Sequence, residues 1–296
     1  MLRLKERNLK KMPSNNNKKG GVKNGDIFNT PFFVIAGLGI IAVAISLWIA
    51  LGSSEKFEDI VPEPIDVGTD YNGPRHPLSG TPVADDALPG ILAVMVENSQ
   101  DANPLSGVED ANVIIEAPVE GNITRWMVLF TADQDVDEIG PVRSARPYYV
   151  DYALAWDALY AHVGGSPEAL DLIEERGLSD LNEFYNGGSF WRSRSRFAPH
   201  NAYTEISRLA SAWDRILGDD YEPEYGVWKF KDVEPEEENR PEGHEIDVEF
   251  NGYWYDVTWV YDPESNSYIR YQGGSKHKAR SGDVLYADNV AIVLTD

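Results

Sequence analysis

The sequence predicts an α+β fold: a mixed sheet with packed helices, a β-rich segment after it, and one transmembrane helix ahead of both. Three features carry this. Residues 31–52 are uncharged and apolar, residues 89–232 interleave short apolar runs with helical stretches, and residues 244–296 alternate apolar and polar side chains with period two.

The run at 31–52, PFFVIAGLGIIAVAISLWIALG, is 22 residues without a charge. Wound as a helix at about 1.5 Å per residue it is roughly 33 Å long, enough for a hydrocarbon core of about 30 Å. Phe32 and Phe33 at one end and Trp48 at the other suit the two interfaces. Residues 1–30 carry eight Lys or Arg against Glu6 and Asp26, whereas Glu55, Glu58 and Asp59 follow the run. The positive-inside bias places this basic tail in the cytoplasm and everything after the run outside the cell membrane, in a single-pass topology. A cleaved signal peptide is the competing reading, since Ala50 and Gly52 precede Ser53 with small-x-small spacing. Its apolar core would run only about 7–15 residues, which favours retention.

The net charge of the 296 residues is −23, and the part after the basic tail holds −29, from 47 acids and 18 bases. Such a domain repels polyanions at long range, so it is not expected to bind nucleic acid. With no cysteine in the chain, disulfides, thiolate metal sites, a thiol nucleophile and a lipid-modified Cys are all excluded. Residues 53–88, rich in Pro, Gly, Ser and Asp, read as an acidic flexible stalk, and 233–243 as an acidic linker.

Within 89–232, residues 91–96 (ILAVMV), 113–115 and 123–130 (ITRWMVLF) read as strands, and 158–163 as another that ends at Gly164-Gly165. Pro147 opens a helical stretch. Ser166-Pro167-Glu168 is a helix start with a mechanism: Ser caps, Pro fills a position needing no donor, and Glu meets the positive end of the dipole. That helix is expected to reach Arg176 and stop at Gly177. Residues 204–217 put Ile206, Leu209, Ala210, Trp213 and Leu217 on one face of a further helix. In 244–296 the apolar run 289–294 (NVAIVL) reads as a last strand with no partner after it. The β-rich domain is therefore expected to be incomplete, to dock loosely, and not to fold as the fragment 240–296, while 75–225 folds alone.

Basic residues are scarce outside the tail, so their placement is informative. Seven of the 18 fall between Arg125 and Arg196, and all seven are Arg. Arg125, Arg143, Arg146 and Arg192 sit in short stretches of small and turn residues, with Ser144 between two of them. A guanidinium fork matches carboxylate or phosphate. Gly164, Gly165 and Ser166 add a helix N-terminus, which also favours anions. An anion-binding cleft is expected from this set, with His200 and Asn201 beside it; ordinary ion pairing among 47 acids is the competing reading. His162 and Glu97 are the candidate acid–base groups, against a satisfied structural His and a turn carboxylate as the plain alternatives. No spacing of His and carboxylates supports a metal, and no phosphate-loop, dinucleotide or nucleophile-elbow motif occurs, so no metal or cofactor is expected.

Several strings resemble the YerB-like family of bacterial exported lipoproteins, domains of unknown function. They are AVMVEN at 93–98, LSGV at 105–108, ANVIIEA at 111–117, VEGNITRWMVLF at 119–130, IGPVRSARPYY at 139–149, YAHVGGSP at 160–167 and FAPHNAY at 197–203. A second family domain is matched by VTWVYDPESNSYIRY and ADNVAIV. The resemblance implies an α+β domain followed by a β-rich one, exported and tethered to the membrane, and it implies no reaction. Family members often carry a lipidated Cys, which the apolar run replaces here. The expected function is a membrane-anchored binding module for an anionic cell-envelope ligand or a partner protein; the alternative is an envelope enzyme acting on a phosphate-containing substrate.

Overall fold

The structure, a computed structural model, describes residues 4–8, 75–82 and 89–294, less 219, 225–227, 232–233 and 251. The predicted span at 31–52 lies outside them; among the described residues no helix is long and apolar enough to cross a membrane. In chain order the elements are β1 (Leu4–Asn8), β2 (Ile91–Glu97), β3 (Val113–Pro118), β4 (Thr124–Thr131), α1 (Pro147–Ala155), β5 (Leu159–His162), α2 (Pro167–Arg176), β6 (Asp180–Asn182), β7 (Trp191–Arg192), β8 (Ala202–Tyr203), α3 (Ile206–Ile216), β9 (His244–Val248), β10 (Val257–Asp262), β11 (Ser267–Gln272), β12 (Ser275–Lys276) and β13 (Tyr286–Ala287).

The central sheet has the order β3-β4-β2-β5-β6. It is mixed: β3, β4 and β2 are antiparallel neighbours, while β2, β5 and β6 run parallel. The apolar side chains of β2 do not alternate with polar ones because both faces of the strand are covered. Ile91, Ala93 and Met95 join Met127, Leu129 and Tyr160 under α1 and α2. Leu92, Val94 and Val96 join Trp126, Val128 and Phe130 on the other face, under Ile206, Leu209 and Trp213 of α3. Helix α2 starts as its sequence dictates: the Ser166 side chain accepts from the Ala169 N–H, and Gly177 closes it at φ 66°. Residues 75–82, read as stalk, fold onto this domain, with Leu78 in the core and His76 hydrogen bonded to Thr131.

The second sheet has the order β1-β9-β10-β11-β12, with β13 on β11. Its β1 pairs antiparallel with β9, Leu4 opposite Val248. That pairing and a tail held in the cytoplasm exclude one another in a single molecule. The expected strand at 289–294 does not form; Val293 and Leu294 are exposed, and only Ile292 packs on the small cluster of Val248, Phe250 and Val257.

Loose docking is not what the structure holds either. Ala279 and Leu285 enter the main core, and the Arg280 N–H donates to Leu105 O at 2.7 Å. Arg270 lies buried between the Trp126 and Trp259 rings, 5.0 and 5.2 Å from their centroids, and donates to Glu116 at 2.8 Å. Asn98 donates to Thr124, Glu116 and Gln272. His277 completes this seam. Its Nδ1 accepts from Arg270 Nε at 3.1 Å, so Nε2 carries the proton and donates to Asn103 at 3.1 Å.

Burial and the neighbouring Arg270 hold the His277 imidazole down at about 3 from an ordinary 6.5. The unfolded chain therefore takes up this proton first as pH falls. The stability that the neutral ring supports is complete above 6.5 and drains between 6.5 and 3. The expected slope is at most about 1.4 kcal/mol per pH unit. Urea midpoints measured at pH 7.5, 6 and 5 should fall in that order, and less steeply in His277→Gln.

Candidate functional site

In a sheet with parallel strands, the carboxyl ends of those strands and the loops that leave them form the natural crevice. Here β2 ends at Glu97, β5 at His162 and β6 at Asn182. The antiparallel β4 enters at the same edge, because Arg125 sits opposite Glu97. The residues singled out from the sequence converge on this edge through a chain of contacts.

The segment around Arg143 is clamped between two strand ends. Its Arg143 N–H donates to Met95 O at 2.8 Å, the Val163 N–H donates to Arg143 O at 3.1 Å, and the Ala145 N–H donates to Gly164 O at 2.9 Å. Ala145 and Gly165 form a parallel bridge. The Arg143–Arg146 stretch and the Gly164–Ser166 turn are thus neighbours. Two backbone donors of that turn are already engaged: Gly164 N–H by Asn182 Oδ1 at 3.1 Å, and Ser166 N–H by Ala145 O at 3.3 Å.

The three arginines differ in partners. Arg146 makes a two-pronged pair with Glu120, at 2.7 and 2.6 Å, and this bond holds the Glu120 carboxyl down at about 2. Arg143 places Nε 3.3 Å from Glu97 Oε2 without hydrogen-bonding alignment, a charge contact that leaves the N–H without an acceptor. Arg125 is buried and donates to Ser144 O at 2.7 Å, and among the described residues it has no carboxylate within ion-pair distance. Burial, and then the like charges of Arg146 and Arg143, pull its guanidinium down to about 10. It stays a cation at neutral pH, desolvated and crowded by two others.

Glu97 is buried and serves as the hub. Its Oε1 accepts from Ser99 Oγ at 2.8 Å, and its Oε2 meets His200 Nδ1 at 2.9 Å. A carboxylate only accepts, so Nδ1 of His200 carries a proton and Nε2 is left without a hydrogen bond among the described residues. Next in the chain, Asn201 Oδ1 accepts from Arg192, whose other arm pairs with Glu183 at 3.0 Å. The Glu183 N–H donates to His162 O, which closes a ring of contacts running Arg143, Glu97, His200, Asn201, Arg192, Glu183 and back through His162.

His162 lies beneath this ring and is fully buried. Nδ1 faces Gly164 O at 2.7 Å and Nε2 faces Asp180 Oδ1 at 2.8 Å. Both partners are acceptors, so both ring nitrogens are occupied and neither is free to move a substrate proton. The role its contacts give it is to hold the Gly164 turn; of the two histidines, His200 is the one with an open nitrogen.

A concavity of about 640 Å³ lies between the 185–189 turn and α3, lined by Tyr185, Gly188, Arg208, Ser211 and Arg215 among others. No residue singled out from the sequence lines it. Arg208 pairs with Glu205 and donates to Gly188 O, and Arg215 donates to Asn186. Its cations are engaged, so the crowded edge around Arg125 is the stronger candidate. No group of three or more His, Cys, Asp or Glu able to hold a metal occurs among the described residues.

Residues 78–217 match the family "Protein of unknown function (DUF3048) N-terminal domain". The chain is 32% identical over 204 residues to "Putative lipoprotein YerB" of Bacillus subtilis (strain 168), covering 68% of this chain and 61% of that one. It spans therefore about three fifths of the length of the curated relative it matches. The crystal structure of the YerB protein from Bacillus subtilis superposes with a TM-score of 0.61 at 27% identity, over 72% of each chain. Identity at this level and a shared arrangement of sheet and helices lead to one conclusion: this chain belongs to the YerB-like family.

Proposed function

We propose that this protein is a membrane-tethered, extracytoplasmic binding module whose carboxyl-edge site takes an anionic group of a cell-envelope ligand or partner. One observation carries the reading. Arg125 is a desolvated cation with no carboxylate of its own among the described residues, pressed by Arg143 and Arg146. An anion seated among the three removes that repulsion and supplies the missing acceptor for Arg143 Nε. The location is supported by the apolar run at 31–52 behind a basic tail, and by the lipoprotein description of the Bacillus subtilis relative.

Titration of inorganic phosphate into the full chain in detergent, followed by calorimetry, tests the site. The expected result is saturable binding that weakens as sodium chloride rises. Heats no larger than those of buffer dilution would sink the proposal. The topology has its own test. Protease added to intact spheroplasts should remove the domain and spare a tag on residue 1; digestion of the tag would instead support the pairing of β1 with β9.

A second reading is favoured by the Glu97–His200 pair. A carboxylate that holds Nδ1–H and leaves Nε2 open is the arrangement of an acid–base histidine. An envelope enzyme acting on a phosphate-containing substrate would use His200 in place of His162, with Glu97 orienting it.

A further inference from the structure

We infer that the face carrying Arg194, Arg196, Lys276, Lys278 and Arg280 lies on an anionic lipid surface, with the 193–199 loop in its headgroup layer. This rests on the membrane tether proposed above and adds which side of the domain meets the bilayer.

Five of the 18 basic residues beyond the tail gather on this face. Lys276, Lys278 and Arg280 are exposed, while His277 and Ala279 between them are buried. An extended stretch thus turns every second side chain to water, and all three are cations. Arg280 carries the stripe onto the neighbouring loop by donating to Ser195 Oγ at 3.3 Å. Arg196 and Arg280 also meet one short segment. The Arg196 fork donates to Asp101 O and Pro104 O, at 3.0 and 2.7 Å, and the Arg280 N–H donates to Leu105 O at 2.7 Å. Arg194 stands exposed between Ser193 and Ser195, whose hydroxyls bond each other at 2.8 Å.

Among 47 acids a cation is expected to find a carboxylate, and these have not. Among the described residues Arg194, Lys276 and Lys278 make no ion pair, both arms of Arg196 end on backbone carbonyls, and Arg280 stays 3.8 Å from Glu138. Asp101 and Asp283 adjoin the face through their carbonyls, too few acids to cancel five cations.

The loop that presents Arg194 and Arg196 also presents Phe197, at 92% the most exposed large apolar side chain among the described residues. Exposed Ala198 and Pro199 follow it. A large apolar side chain in a cationic loop suits the boundary between headgroups and acyl chains. There the ring leaves water and lipid phosphates meet the guanidinium and ammonium groups. An acidic protein segment would match the cations equally and leave Phe197 uncovered.

The charge of the remainder sets the orientation. The part of the chain after the tail holds −29, so an anionic surface repels most of the domain and attracts this face. With a screening length of about 8 Å at physiological salt, cations in contact are governed by the headgroups beneath them. The tether supplies the proximity that long-range attraction would not.

The chain has no cysteine, so Ala198→Cys in the full chain takes an environment-sensitive dye at one position, next to Phe197. The labelled chain is reconstituted in phosphatidylcholine vesicles with and without phosphatidylglycerol. Emission should shift to the blue with phosphatidylglycerol. It should return to its aqueous value without that lipid, or in about 1 M sodium chloride, where the screening length is about 3 Å. The double variant Arg194→Glu, Lys278→Glu should lose the shift and keep its urea midpoint, since neither cation has an ion pair to lose among the described residues. An unshifted dye on phosphatidylglycerol, or a shift that survives the charge reversal, would overturn the inference. A shift brought on in detergent by soluble oligoglutamate and absent on vesicles would also overturn it, and would assign the face to an acidic protein. Flotation of the unlabelled chain with phosphatidylcholine vesicles reads the tether separately: a chain left at the bottom of the gradient has no tether, whatever the dye reports.

Discussion

Arg270→Ala should be the most damaging single substitution outside the hydrophobic core, costing about 3–5 kcal/mol in urea unfolding. The side chain touches five partners, Gln272 among them, and is the charged partner of Glu116, whose other oxygen accepts from Asn98. It donates to Glu116 at 2.8 Å and to His277, and its guanidinium is held between Trp126 and Trp259. Removing it leaves the largely buried Glu116 carboxylate facing apolar rings. The double variant Arg270→Met, Glu116→Leu should recover more than half of the loss, since it removes the stranded charge together with its partner. A loss below about 1 kcal/mol for the single variant would mean that water reaches Glu116 and that the seam is a surface ion pair. The same contacts revise the expectation for fragments. Cutting at 225 exposes Trp126 and Leu105, so 75–225 should be less stable than the full chain.

Arg125→Gln should weaken phosphate binding by about 100-fold, the scale of a lost charge-assisted fork in a desolvated site. It should do so while changing the stability of the free protein by less than about 1 kcal/mol. The asymmetry follows from the electrostatics: the substitution removes a cation that Arg143 and Arg146 already disfavour. Arg125→Lys keeps the charge without the fork and should fall between, at about ten-fold. A protein that unfolds on Arg125→Gln but binds phosphate as before would show that Arg125 only props the Ser144 carbonyl.

The architecture was legible where a local signal was strong. The continuous apolar run at 91–96 announced a strand, though not that both its faces are covered, and Ser166-Pro167-Glu168 announced α2. The concentration of arginine at Arg125, Arg143 and Arg146 was legible because short stretches of small and turn residues in a base-poor chain stand out. Their partners were not. Glu120 lies 26 residues before Arg146 and Glu97 lies 46 before Arg143, at no repeating spacing, and pairing across strands depends on register, which no local pattern states. The two histidines were equal in sequence; only the Asp180 carboxylate behind one and the open side of the other separate them. The run at 289–294 looked like a strand because apolar residues signal burial, yet it pairs with no strand among the described residues. Arg208 and Arg215 escaped notice because both lie on the helix α3, where a charged face is the ordinary expectation.

Glu97 and Asn98 share one peptide unit. Glu97 turns its carboxylate to His200 and Arg143, while Asn98 turns its amide to Gln272 and Glu116 across the seam. Residues that close together cannot be ordered independently. On the proposed function, occupancy of the edge and closure of the seam are expected to be linked, with the linkage running equally in both directions. Whatever factor a bound anion adds to the closure constant of the C-terminal strands, those strands return to the anion's affinity.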